Sequence, residues 1–166
     1  MTERDDLLRI LDTHRGFLRY TLRDLTDEQA AARTTVSELC LAGILKHVTA
    51  VEEGWRRFIE EGAPALEPSP GEDPVEERAN EFRMLPGETL PLLLERHDRV
   101  AHDTEELVRR LPSLDAGQAL PEAPWFEPGA SWSARYVLLH ILAETAQHAG
   151  HADIVREALD GQKTMG

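Results

Sequence analysis

A chain of 166 residues, 30% charged and 41% hydrophobic, has the size and balance of one globular domain spanning residues 1–166, and it excludes a disordered or disulfide-stapled class. Its formal charge of −13, from 18 basic against 31 acidic residues, repels phosphate backbones and anionic bilayers, so nucleic acid and membrane surfaces are excluded as partners. Cys40 has no second cysteine to pair with, the N-terminus lacks a signal-peptide pattern, and no apolar run approaches the ~20 residues of a membrane span; these point to the cytoplasm.

Leu7, Leu8, Ile10, Leu11, Phe17, Leu18, Leu22 and Leu25 recur at helical spacing, which predicts an amphipathic helix from Glu3 to about Asp24. Thr26, followed by Asp27 and Glu28, predicts an N-capped short helix reaching Arg33. A second long helix is expected from Ser37, with the stripe Leu41, Ile44, Leu45, Val48, Val51, Trp55, Phe58 and Ile59, closed by Gly62. Prolines 64, 68, 70, 74 and 86 make residues 63–87 mainly a loop, with a short helix from Val75 to Met84. The third long helix runs from Glu88 to Leu111, with Pro91 in its tolerant first turn and Pro112 as its stop. A second loop, 112–130, precedes a fourth long helix capped by Ser131 or Ser133 and ending near Leu159. No period-2 strand stands out. The expected fold is all-α, a four-helix bundle with long loops.

Chemistry concentrates on the fourth helix. Glu144 and His148 are four residues apart and so share a face, and His140 and His151 extend the same stripe. Apolar Leu138, Leu139, Ile141, Leu142 and Ala146 flank it on both sides, which predicts deep burial of this helix and partners for its polar groups. His47 borders the apolar stripe of the second helix and is placed to complete a three-ligand divalent metal site of His47, Glu144 and His148. Spacing alone leaves open a simple Glu–His hydrogen bond at the surface. His140 and His151 suit roles beside the ligands or in a pocket, or packed core positions; His14, His97 and His102 sit among charges and read as solvated surface. Trp125, Phe126 and Trp132 can wall a substrate pocket or cap the bundle end, and Arg135 can meet an anionic group or form a surface ion pair. Cys40, between Leu39 and Leu41, reads as core rather than nucleophile.

The stretch Leu41-Ala-Gly-Ile-Leu-Lys-His47-Val-Thr-Ala-Val-Glu-Glu-Gly-Trp55 resembles the second helix of DinB/YfiT-like proteins, and Tyr136-Val-Leu-Leu-His140-Ile-Leu-Ala-Glu144-Thr-Ala-Gln-His148-Ala-Gly-His151-Ala-Asp153 is similar to their last. The resemblance covers almost the whole chain and implies His47, Glu144 and His148 as ligands. Many members carry histidine where this chain has Glu144; the carboxylate looks like the branch that includes mycothiol-dependent maleylpyruvate isomerase. Gly150 matches a glycine that commonly follows the last ligand, whereas His151 replaces a frequent glutamine.

The donor set His, Glu, His suits zinc, with nickel as the alternative, and the resemblance implies a low-molecular-weight thiol used for S-transfer or isomerisation on a small electrophile, in a homodimer. Only Lys46 and Lys163 among the basic residues are lysines. That bias suits a GC-rich bacterial genome and favours mycothiol as the thiol. The other class of function consistent with the residues is a non-catalytic, stress-associated bundle that binds a metal or ligand.

Overall fold

Helix starts are set by short polar side chains that accept the otherwise unpaired first-turn N–H groups. In the computed structural model, which describes residues 2–67 and 73–165, Thr2 caps α1 (Glu3–Thr21) in a capping box with Asp5, and Thr26 caps α2 (Asp27–Ala31) in another with Gln29. The long α3 spans Leu41–Glu61, α5 spans Leu90–Arg110 behind Thr89, and α6 spans Ala134–Asp160 behind Ser133. Between α3 and α5 lie a 3₁₀ turn, Ala63–Leu66, and the eight-residue α4, Pro74–Glu81, capped by Asp73. Pro68 and Pro70 lie outside the described residues.

The four long helices form a ring in which α1 neighbours α6 and α5, while α3 neighbours α5 and α6. Leu18, Leu22, Leu41, Ile44, Leu45, Val48, Ala152 and Val155 form the main apolar core at one end. Leu11, Phe58, Val137 and Ile141 fill the other end, with Trp55 and Trp132 packed against them. The all-α reading holds, and several of its details change. The first long helix stops at Thr21 rather than Asp24, because the chain turns through Asp24 in the left-handed region (φ 57). The second begins four residues later than Ser37: Cys40 is its cap, its Sγ accepting the Gly43 N–H. Two three-residue strands, β1 (Gly117–Ala119) and β2 (Ser131–Ser133), pair antiparallel inside the second loop, with Gln118 opposite Trp132. So short a ribbon leaves no alternation long enough to read in sequence.

Two buried arginines tie the ring together. Arg15 of α1 donates from Nε to Glu52 of α3 at 3.1 Å, with a second contact through its terminal nitrogen, and both side chains are sealed from solvent. Arg156 of α6 donates to the Thr21 and Arg23 carbonyls at 2.8 Å each, capping the end of α1.

His97, expected at the surface, is 1% exposed. Its Nδ1 faces the Thr49 hydroxyl at 3.1 Å, and that hydroxyl itself donates to the Leu45 carbonyl. The charged residues around it in sequence point outward, while position 97 continues the apolar stripe of Leu90, Leu93 and Val100. Burial, reinforced by the Arg15 charge, holds the imidazole down at about 4. The deep burial expected for α6 on both flanks is also incorrect. Val137, Ile141, Thr145, Ala149 and Ala152 face the core, but Leu139 and Ile154 are exposed on the far side.

Candidate metal centre

His47 is sealed in the seam between α3 and α6, where Glu144 and His148 lie one helical turn apart and half-buried. Glu144 Oε2 stands 3.7 Å from His47 Nε2 and 3.6 Å from His148 Nε2. The three side chains each offer one ligand atom, and no two of those atoms are more than 4.8 Å apart. At 3.6 and 3.7 Å the carboxylate–imidazole separations are too long for direct hydrogen bonds and close to the ~3.4 Å between neighbouring donors around a tetrahedral zinc ion. Two imidazoles and one carboxylate make a donor set that suits a first-row divalent cation.

The far side of each imidazole is also engaged. His47 Nδ1 lies 2.9 Å from Glu81 Oε2, where a ring N–H donates to the carboxylate, and Nε2 is turned toward Glu144. Phe82 stacks on the same ring at 4.1 Å with 25° between planes. His151 Nδ1 approaches His148 Nδ1 at 3.5 Å, the rings meeting edge to face. Burial, and then the adjacent His47, holds His148 down at about 4, so it is a neutral donor near pH 7.

Glu81 and Phe82 come from the end of α4, and the face of α3 that receives them is built for close approach. Gly43, one turn before His47, lies where any side-chain carbon would collide with the Phe82 carbonyl. Lys46 donates to the Asn80 and Arg83 carbonyls at 3.0 Å each and to Glu88 at 2.9 Å, closing the C-terminal end of α4. Cys40 packs as expected, buried, with its Sγ 3.8 Å from the Phe82 carbonyl oxygen. Gly43, Lys46 and His47 thus dock one short helix so that its last carboxylate meets an imidazole.

The other expected pocket residues separate into two groups. His140 lies one turn before Glu144, half-buried between Trp55 (ring centroids 5.0 Å apart) and Trp132 (5.2 Å), and burial lowers its pKa. Trp132 stacks on Trp55 at 4.7 Å, held by the β1–β2 ribbon. Trp125 stands 77% exposed at the tip of the loop and lines a cleft there with Phe126. Arg135 is an ion-pair residue, bound to Glu3 of α1 and to Asp115. Sequence reasoning missed Glu81 and Phe82. A glycine four residues before His47 inside an apolar helix was the available sign that another segment approaches there. A polar cleft of about 420 Å³, floored by Ala50 and Gly54 and flanked by Arg78 and Arg96, opens beside Glu81.

A family model described as mycothiol-S-transferase matches residues 6–161. The chain belongs to the mycothiol-S-transferase family. Membership ties it to mycothiol-related S-transfer and to a thiol as substrate partner. A conserved protein from Enterococcus faecalis superposes with a TM-score of 0.73 over 98% of this chain and 99% of its own, at 14% identity, and so shares the fold. Among curated proteins no match to this mycothiol-S-transferase family member was found. No described helix is long and apolar enough to cross a membrane.

Proposed function

We propose that the protein is a divalent-metal-dependent transferase that joins the sulfur of mycothiol to a small electrophile, with His47, Glu144 and His148 as the metal ligands. The convergence of these three side chains, in a family tied to mycothiol, is the observation that carries the reading. A dication held there, zinc first and nickel as the alternative, would lower the pKa of a bound thiol, so that thiolate is available near pH 7.

The chain's own residues do the positioning. Glu81 fixes the His47 tautomer, and Phe82 shields that ring from water. Glu144 offsets one of the two positive charges a dication would bring into the seam. The polar cleft beside Glu81 suits the body of a polar thiol. A homodimer is part of the proposal, with the exposed Ile10 and Leu139, on neighbouring helices α1 and α6, as its contact surface. So is a reducing cytoplasm, which keeps the lone Cys40 a thiol.

The test is turnover of 1-chloro-2,4-dinitrobenzene by metal-loaded protein with mycothiol. Thioether formation above the uncatalysed rate, lost in His148→Ala, is expected. Equal rates with and without enzyme would instead favour a non-catalytic metal- or ligand-binding bundle.

A further inference from the structure

Resting on the thiol-transfer reading, we propose that the electrophile is an uncharged molecule with a flat apolar body, and that this body lies in the cleft between the 3₁₀ turn and the Trp125 loop. The cleft measures about 830 Å³, within the range of small-molecule sites. Leu66, Leu120, Pro121, Trp125 and Phe126 wall it over a floor that includes Trp55. Among the described residues that line it, the ionisable ones are Glu67 and Glu122, with no basic side chain. A carboxylate on the ligand would meet negative charge and no cation, in a molecule whose formal charge is already −13.

Aromatic rings connect this cleft to the ligand triad. Trp125 lies 6.2 Å from Phe126, Phe126 lies 6.5 Å from Trp55, and Trp55 meets His140 one turn from Glu144. Along α3, Trp55 is eight residues beyond His47, about 12 Å of helix. A substrate with its reacting carbon at the centre would therefore carry its flat body on a chain long enough to reach past Trp55.

The exposed indole of Trp125 is presented by a pinned loop. Leu120 N–H donates to the Ala130 carbonyl at 2.9 Å, and turns close at Phe126 to Ala123 and at Ala130 to Glu127, both at 3.1 Å. Prolines 121, 124 and 128 restrict the backbone further. Holding a large apolar ring open to water on a rigid support avoids an ordering cost when a flat ligand arrives.

The reaction balances without another reagent. The thiolate sulfur bonds to the electrophilic carbon, the carbon–chlorine bond breaks, chloride leaves with the electron pair, and the thiol proton goes to water.

The cleft itself is tested by binding, apart from turnover. In ¹⁵N-labelled, metal-loaded protein, unreactive 1,3-dinitrobenzene should shift the indole N–H signals of Trp125 and Trp55. Trp125→Ala, altering an exposed side chain, should keep the fold and weaken binding about 3- to 10-fold, the worth of an aromatic contact. The anionic 3,5-dinitrobenzoate should bind more weakly than the neutral compound to wild type. Unshifted indoles, an unchanged dissociation constant in Trp125→Ala, or equal binding of the anion each overturns the proposal. Absence of turnover with every electrophile, while dinitrobenzene still binds, counts instead against thiol transfer.

Discussion

His47 has two nitrogens with different neighbours, and the division of labour between them is the finest detail of the site. Nδ1 is held by Glu81 and Nε2 faces Glu144. A carboxylate in that outer position orients the ring and raises its basicity. Glu81→Gln should therefore weaken zinc affinity about 10- to 100-fold in chelator competition, with helical circular dichroism unchanged; undiminished affinity would show the contact to be incidental. Glu144→His tests the central position from the other side. It keeps three donors and should retain metal, whereas Glu144→Ala should lose most of it, both read by bound metal per chain. The shared face of Glu144 and His148 was legible in the sequence because four-residue spacing on a long helix fixes it whatever the tertiary context, whereas the nearness of His47, on another helix, depends on the packing of α3 against α6. Glu81 was not legible: one carboxylate near the end of a short polar helix carries no periodicity.

At the scale of elements, the docking of α4 onto α3 decides whether Glu81 and Phe82 reach the centre. The contact depends on Gly43, where a methyl group would meet the Phe82 carbonyl. Gly43→Ala should destabilise the protein by about 1–3 kcal/mol through overpacking. Because α4 must shift, it should also weaken zinc binding, a coupling that a surface substitution such as Val36→Ala should not show. A melting temperature and metal affinity both unchanged would contradict this. The four long helices were readable from their apolar stripes and caps, to within a few residues. Two features escaped: the β1–β2 ribbon, too short to alternate, and the start of α3, where a cysteine rather than Ser37 is the cap.

For the whole molecule, the middle of the bundle is polar as well as apolar. Arg15, Glu52 and His97 are all buried there, and His97 sits near 4 against an ordinary 6.5. The unfolded chain takes up this proton at higher pH than the folded one. The contribution of neutral His97 is therefore complete above about 6.5, erodes as pH falls through that value, and is lost as pH reaches about 4. The loss should be on the order of 3 kcal/mol. Denaturant titrations at pH 7 and pH 4.5 should show it, with a smaller difference in His97→Gln; the same pH dependence in that variant would place the effect elsewhere. His97 was misread because its neighbours in sequence are charged, although it falls on the stripe of Leu90, Leu93 and Val100, and the packing of α5 against α3 turns that stripe inward. The central claim is a single divalent ion held by His47, Glu144 and His148. Its most direct test is elemental analysis by mass spectrometry of untagged protein, reconstituted with zinc and freed of excess. The account predicts one ion per chain in wild type and almost none in His148→Ala of equal helicity. A wild type that retains no metal, or a variant that retains as much, would contradict it.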